Sequence, residues 1–131
     1  MVGIVIVSHS AKVAEGICDL ARQMAKADQK ILPAGGMADG SIGTDAFKVS
    51  EAIQAAWSDD GVLVLVDLGS ALLSTDMAME FLDEAIRERV RVADAPILEG
   101  AIGAVVEASV GSSLEQVLST AEGAREMRKI I

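Results

Sequence analysis

Two uninterrupted apolar runs constrain the fold of this chain more than any other feature of its sequence. Residues 4–7 read Ile-Val-Ile-Val and residues 62–66 read Val-Leu-Val-Leu-Val, without a polar residue in either run. A strand that is solvated on one face alternates apolar and polar residues, whereas a strand covered on both faces is apolar throughout. The two runs therefore predict strands of a parallel sheet with helices on both faces.

Segments with helical spacing of their apolar residues separate the predicted strands. Strands are predicted at residues 2–7, 30–34, 62–66 and 90–92, and each is followed by such a segment. This alternation predicts an α/β fold with a flavodoxin-like sheet, mainly parallel, of about four strands in the order 2-1-3-4. The last strand is expected at or near a sheet edge. The third helix is expected to carry one apolar stripe, formed by Leu72, Thr75, Met79, Leu82 and Ile86.

The predicted fourth helix, which begins after Pro96, is apolar around most of its circumference. Gly100 and Gly103 within it would allow close approach of a neighbouring element. Two interpretations are open: the helix is tightly buried, or it forms one face of a dimer interface. The apolar coverage favours the dimer.

Composition excludes several classes of function. The chain has 131 residues and a net charge of −9, which suits one domain spanning residues 1–131 and argues against nucleic-acid binding. None of its apolar runs reaches the ~20 residues of a membrane span, and the N-terminus lacks the basic region of a signal peptide. A soluble, cytoplasmic protein is expected. Cys18 is the only cysteine, so no internal disulfide and no cysteine-based metal site is predicted.

The single histidine, His9, stands between the first strand and the first helix. In an open α/β sheet, ligands bind where a strand's carboxyl end turns into the next helix, and helix N-termini favour phosphate. A histidine imidazole is substantially neutral at pH 7 and is then a nucleophile. This position suggests chemistry, although a histidine that only caps a turn is the alternative.

The carboxyl ends of the first three strands should bring several candidate residues to one edge of the sheet. Asp67 follows the third strand and could hold one ring nitrogen of His9, leaving the other free to attack. Asp67 could alternatively only cap the third helix, and the glycine pair at 35 and 36 could be only a turn. Together the residues predict transient phosphorylation of His9. The predicted phosphate-binding groups are Ser10, Gly35, Gly36, Thr44, Gly69 and Ser70.

Other chemistry has little support in the sequence. There is no Gly-x-x-x-x-Gly-Lys phosphate loop, and no Gly-x-Gly-x-x-Gly fingerprint follows the first strand. The segment around Ser70 is not a Gly-x-Ser-x-Gly nucleophile elbow. One histidine without clustered cysteines predicts no metal site.

Five segments together carry a resemblance to a known family. They are Ile-Val-Ile-Val-Ser-His-Ser at 4–10, Gly-Gly at 35–36, Gly-Thr-Asp at 43–45, Val-Asp-Leu-Gly-Ser-Ala at 66–71 and Pro-Ile-Leu-Glu-Gly-Ala at 96–101. In this order, and over nearly the whole chain, they resemble the DhaM family. These are the phosphotransfer subunits of dihydroxyacetone kinases that depend on the phosphotransferase system. The chain is also similar to the mannose-class enzyme IIA domain, which usually carries Gly-Gly-Ser-Pro shortly after the aspartate. Leu-Gly-Ser-Ala at 68–71 favours the dihydroxyacetone branch.

The resemblance implies a homodimer that takes a phosphoryl group from the carrier HPr onto His9, with Nε2 favoured as the phosphorylated atom. Asp67 would hydrogen-bond the other ring nitrogen. The group would pass to ADP bound on the subunit DhaL, and the ATP formed would phosphorylate dihydroxyacetone on DhaK. No cofactor is expected on this chain, while ADP/ATP with Mg is expected on DhaL. Because the chain stops at Ile131, it resembles the single-domain form, which depends on separate carrier proteins.

Two alternative functions remain open at this point. One is a mannose-class enzyme IIA component of sugar uptake. The other is a regulatory domain of the same fold in which His9 senses the phosphorylation state of the transport system.

Overall fold

The computed structural model describes residues 1–131 and contains one four-stranded sheet with helices on both faces. No helix combines the length and the apolar character that crossing a membrane requires. In chain order the elements are β1 (Gly3–Ser8), α1 (Ala11–Arg22), β2 (Ile31–Gly35), α2 (Ala46–Ala56), β3 (Val62–Val66), α3 (Gly69–Met79), α4 (Glu84–Arg87), β4 (Val90–Ala93), α5 (Ile97–Ser109) and α6 (Leu114–Gly123), followed by a 3-10 turn at Ala124–Glu126.

All strand pairs are parallel, and the strand order is β2-β1-β3-β4. The predicted flavodoxin-like order is thus confirmed, with β4 at one edge and β2 at the other. In the register of the sheet, Val7 of β1 lies beside Ala34 of β2 and Val66 of β3. Parallel pairing in this register brings the carboxyl ends of the three strands to the same edge.

Each face of the sheet buries its own apolar cluster. Ile4, Ile6, Leu63 and Leu65 pack under α1, α5 and α6. The intervening valines of β1 and β3 point to the other face and pack under α2 and α3. Both runs are apolar throughout because successive side chains alternate between two covered faces. Burying a side chain of this size contributes about 1.5–3 kcal/mol.

The third helix differs from the prediction. α3 ends at Met79, and a separate one-turn helix, α4, begins at Glu84. Between them, in a stretch that is not helical, Leu82 is buried and Phe81 stacks on Phe47. The predicted stripe is wrong at Leu72, which is 41% exposed. Apolar residues surround α3, so their spacing does not mark the inner face, which is formed by Ala71, Thr75 and Ala78.

α5 packs on the sheet beside α1 and α6. A Cβ added to Gly100 would lie 2.9 Å from the side chain of Leu65, so the predicted close approach occurs there. A Cβ added to Gly103 would make only an ordinary contact with the side chain of Thr120, at 3.5 Å. The outer side of α5 still exposes Val106 and Leu98. The helix is therefore buried on one side and apolar but uncovered on the other.

Candidate functional site

His9 and Asp67 follow neighbouring strands at the same edge of the sheet. β1 ends at Ser8 and β3 ends at Val66, and the amide of Asp67 continues the ladder by donating to the carbonyl of Val7 at 3.2 Å. This register brings the two side chains into contact, as predicted. They form a crevice with the first turn of α3.

The imidazole of His9 is held at both nitrogens. Its Nδ1 lies 2.9 Å from Oδ1 of Asp67, and its Nε2 lies 2.5 Å from Oγ of Ser70. An ionised carboxylate only accepts hydrogen bonds, so Nδ1 carries the proton and donates it to Asp67. In the neutral ring, Nε2 then keeps its lone pair and accepts from the Ser70 hydroxyl. The side chain of His9 is 21% exposed, so this nitrogen can be reached from outside.

Asp67 accepts four hydrogen bonds. Besides the ring of His9, the donors are the His9 amide at 3.0 Å, the Ser8 hydroxyl at 2.8 Å and the Leu68 amide at 2.8 Å. Burial by itself raises the pKa of Asp67, but these donors together outweigh it and hold the pKa below 3.8. The carboxylate therefore stays ionised at neutral pH. Asp67 does not cap the first turn of α3, because Leu68 is the N-cap and its side chain makes no cap hydrogen bond.

The lowered pKa of Asp67 predicts a specific acid sensitivity. A carboxyl whose pKa is lower in the folded state stabilises the fold above its unfolded pKa, and this contribution is lost as the pH falls through the folded value. We expect the free energy of unfolding of the wild type to exceed that of Asp67→Asn by a constant amount near neutral pH, and the gap to narrow below pH 3.8. Denaturant unfolding at several pH values measures it. A gap that persists unchanged at pH values well below 3.8 would contradict the assignment.

Three of the predicted phosphate-binding residues make structural contacts around the start of α1. Ser10 is the N-cap of α1 and accepts from the amide of Val13 at 3.3 Å. A Cβ at Gly35 would lie 2.6 Å from the carbonyl oxygen of Ser10, so only glycine lets β2 approach α1 this closely. Gly36 has a φ of +72° and donates to the carbonyl of Ser8. These contacts are structural, and contact of the three residues with a phosphoryl group stays a prediction.

Thr44 contacts α3 rather than the ring of His9. Its hydroxyl lies 2.5 Å from that of Ser74, one turn beyond Ser70. The preceding residue, Gly43, donates its amide to the carbonyl of His9 at 2.8 Å. The loop before α2 is thus fastened both to His9 and to α3. Sequence reasoning missed Ser74, because no local pattern indicates which hydroxyl of a helix meets a distant loop.

The first turn of α3 leaves donors and space beside the ring. The amides of Gly69 and Ser70 donate to no acceptor within the protein. A Cβ at Gly69 would meet nothing within 4 Å. A groove of about 530 Å³ lies between this turn and the end of β4, and it is lined by Asp67, Leu68, Gly69 and Leu72 together with residues 92–95. Unpaired amides at a helix N-terminus attract anions, so the two residues meet the requirements of their predicted role.

Few charged groups approach the crevice. No three His, Cys, Asp or Glu side chains come together in a way that could hold a metal ion. Lys48 donates to the carbonyls of Gly35 and Met37, each at 3.3 Å, and so braces the glycine loop. No lysine or arginine hydrogen-bonds to His9 or Asp67. Cys18 lies in the core, where burial raises the pKa of its thiol to about 11.

Comparison with known proteins identifies the family. Residues 3–118 match the family described as the PTS system fructose IIA component. The chain is 44% identical over 133 residues to the phosphoryl donor subunit DhaM of a PEP-dependent dihydroxyacetone kinase from Klebsiella michiganensis, covering 99% of this chain and 28% of that protein. The chain thus spans little more than a quarter of that relative, and similar fractions of others like it. A DhaM of Listeria innocua is 36% identical, with 90% of this chain and 94% of that protein covered.

A solved structure shares the fold of this chain. The crystal structure of a protein of unknown function, EF1359, superposes with a TM-score of 0.82 at 35% identity. The match covers 94% of this chain and 95% of that one. The chain therefore belongs to the family of PTS system fructose IIA components and, within it, to the DhaM phosphoryl donor subunits.

Proposed function

We propose that this chain is a phosphohistidine relay of a dihydroxyacetone kinase that depends on the phosphotransferase system. His9 accepts a phosphoryl group on Nε2 and passes it to ADP held by a separate subunit. The observation that carries the proposal is the pair of contacts on the ring: Nδ1 faces an ionised carboxylate at 2.9 Å and Nε2 faces only a hydroxyl. The imidazole is thereby held in the tautomer that attacks through Nε2.

Both transfers proceed without a proton leaving the ring. The lone pair of Nε2 attacks phosphorus and forms the P–N bond, while the bond from phosphorus to the donor breaks and its electron pair stays with the donor. Nδ1 keeps its proton throughout, so the phosphorylated ring is a cation beside the Asp67 carboxylate. When an oxygen of ADP attacks phosphorus, the electrons of the P–N bond return to Nε2 and the neutral ring is restored.

The crevice suits a phosphoryl group that must be released again. A relay gains nothing from binding its phosphorylated state too tightly, because that binding energy would have to be overcome in the next transfer. The free amides of Gly69 and Ser70 and the hydroxyl of Ser70 offer moderate hydrogen bonds. No lysine or arginine clamp forms on His9, which agrees with a relay.

The partners in this proposal are those that the resemblance to the DhaM family implies, and the relatives are named as phosphoryl donor subunits of PEP-dependent dihydroxyacetone kinases. HPr is the donor in this proposal, DhaL holds the acceptor ADP with Mg, and DhaK holds dihydroxyacetone. Both donor and acceptor must bring their reacting group to Nε2. They therefore dock on the surface that surrounds the crevice, one after the other.

An exposed apolar surface beside His9 fits such docking. Leu68 precedes α3, and Leu73 and Met77 follow Ser70 on the same side of the helix, three and seven residues along. Phe47 in the first turn of α2 and Phe81 just after α3 stack on each other, with their centroids 4.9 Å apart. We call these five residues the α3 patch. All of them are exposed, and Leu73 is 70% exposed.

A second apolar surface lies on the opposite face of the sheet and fits a homodimer. A groove of about 520 Å³ between α1 and α5 is lined by Leu20, Met24, Leu98, Ile102 and Met127, among others, and Val106 continues it. We call this surface the α1–α5 face. A second copy here leaves His9 free for its partners, whereas one on the α3 patch would compete with them. This agrees with the dimer expected from the apolar helix after Pro96.

Replacing an apolar residue by glutamate is expected to impair docking on the α3 patch and dimer formation on the α1–α5 face. Leu73→Glu is expected to raise the KM for the phosphorylated carrier at least tenfold, because a buried, unpaired charge opposes docking, while the protein stays dimeric. Val106→Glu is expected to give monomers that still accept phosphate. Light scattering and steady-state kinetics on both variants check this. The reverse pattern would show that the two surfaces have been assigned the wrong way round.

Transfer to ADP separates this function from its alternatives. The phosphorylated chain, freed of the carrier, is mixed with DhaL and ADP, and ATP is measured. A relay loses its phosphoryl group and forms an equal amount of ATP. A sensor domain keeps its phosphoryl group, and a mannose-class component releases it only to its transport partners, so either result would overturn the proposal.

A further inference from the structure

We propose that Ser8 is a positioning residue for the relay, because its buried hydroxyl fixes the carboxylate of Asp67 in the orientation that holds the ring of His9. The inference rests on the proposed function, since it assigns a residue that acts on His9 through Asp67. Ser8 touches neither the ring nitrogens nor the crevice surface, for it is fully buried at the end of β1.

The hydroxyl of Ser8 has one defined direction. Its oxygen accepts the amide of Ser10 at 3.1 Å, and its hydrogen is donated to Oδ2 of Asp67 at 2.8 Å. The carbonyl of Ser8 is also engaged, since it accepts the amide of Gly36 at 3.2 Å. Ser8 thus links the start of α1, the glycine loop and the carboxylate of Asp67, and its hydroxyl both accepts and donates a hydrogen bond.

The two oxygens of Asp67 have different partners. Oδ2 accepts from the Ser8 hydroxyl and the His9 amide, whereas Oδ1 accepts from Nδ1 of His9 and the Leu68 amide. Three of the four donors come from backbone or from the ring itself. Ser8 alone among the donors is a side chain that remains in place whatever the state of His9. Its removal frees the carboxylate to turn and loosens the ring.

The hydroxyl of Ser8 also helps to keep Asp67 ionised. The hydroxyl is one of the donors that keep the pKa of Asp67 low against the effect of burial. Without it the carboxylate is a poorer partner for a cationic phosphorylated ring. Mutation of a residue that orients a metal-binding histidine through such a hydrogen bond costs roughly 10- to 100-fold in affinity or activity, and we expect a loss of similar size here.

Three variants test the inference. Ser8→Ala removes the hydroxyl and little else, and Ser8→Thr returns it. Ser50→Ala is the matched control, because Ser50 is also a buried serine, 3% exposed, whose hydroxyl bonds only to Gln54 within α2. If Ser8→Thr fails to fold, the comparison of Ser8→Ala with Ser50→Ala decides alone.

Two readouts follow, one of which needs no phosphoryl donor. In a ¹³C NMR titration, Ser8→Ala is expected to raise the pKa of the Asp67 carboxyl, and ¹⁵N NMR should show less of the Nδ1-protonated tautomer of His9, the only histidine. In phosphoryl acceptance, kcat should fall about tenfold or more with KM unchanged, because a fully buried residue meets no partner. Ser8→Thr should restore the wild-type pKa, tautomer and kcat, and Ser50→Ala should change none of them.

Failure of the proposed role of Ser8 can be distinguished from failure of the proposed relay. If Ser8→Ala changes neither the Asp67 titration nor kcat, or if Ser50→Ala changes them equally, the role of Ser8 is refuted while the relay stands. If the wild type itself accepts no phosphoryl group, the relay fails and Ser8 has no transfer to support. The titration then still shows whether Ser8 holds Asp67.

Discussion

His9→Ala is expected to abolish phosphoryl acceptance while the protein remains folded. The chain has no second histidine that could take over, and Nε2 of the ring, which meets only the hydroxyl of Ser70, is the atom that would form the P–N bond. His9 belongs to neither apolar cluster, and its ring contacts Asp67 and Ser70 at the surface. The loss should exceed what any docking variant produces, because the atom that forms the P–N bond is gone.

The measurement for His9→Ala is the rate of phosphoryl uptake from the phosphorylated carrier, with circular dichroism and thermal unfolding as controls of the fold. A folded variant that takes up no phosphoryl group fits the account. Retained uptake at any substantial rate would mean that another residue is the acceptor. The assignment of Nε2 would then have no basis.

Asp67→Ala is expected to slow transfer far more than it weakens the fold. The variant loses the partner of Nδ1, so the ring can turn and take the other tautomer, which blocks Nε2 with a proton. In catalytic triads the loss of such a carboxylate costs up to about 10⁴-fold in rate. We expect roughly 10³-fold here, which corresponds to about 4 kcal/mol of activation free energy. Stability should fall by only about 1–3 kcal/mol, the range for buried donors left without an acceptor.

A structural cap provides the control for Asp67→Ala. Ser113 accepts the amide of Gln116 in the capping box of α6, a helix that contributes nothing to the crevice. Ser113→Ala should lower stability by about 1 kcal/mol and leave the rate of transfer unchanged. If Asp67→Ala behaved in the same way, with loss of stability and no larger loss of rate, Asp67 would be a structural residue.

The fold and the centre of the site could be predicted from the sequence for physical reasons. A short, all-apolar run rich in valine such as Val62–Val66 favours a strand covered on both faces, and alternation with helices leaves few orders for a parallel sheet. Once β1 and β3 are neighbours, the residues that follow them must meet. The pairing of His9 with Asp67 follows from this rule without any knowledge of side-chain contacts.

The remaining contacts depend on tertiary geometry that the sequence pattern does not encode. Nothing local indicates that the hydroxyl of Ser8 points to Asp67, or that Thr44 meets Ser74. A hydrogen bond of the Ser8 side chain could be expected, since a polar residue that ends a buried strand must find a partner, but the identity of that partner could not. The end of α3 at Met79 could not be predicted, because α3 carries apolar residues on most of its circumference. The spacing of these residues therefore does not show where the helix stops packing on the sheet.

Intact-mass spectrometry after incubation with phosphoenolpyruvate, enzyme I and HPr shows whether His9 takes up a phosphoryl group. We expect a gain of one phosphoryl group, about 80 Da, that is lost in acid and is absent from His9→Ala. Subsequent addition of DhaL with ADP should return the mass to its starting value. No gain in mass, under conditions in which HPr itself is phosphorylated, would contradict the account.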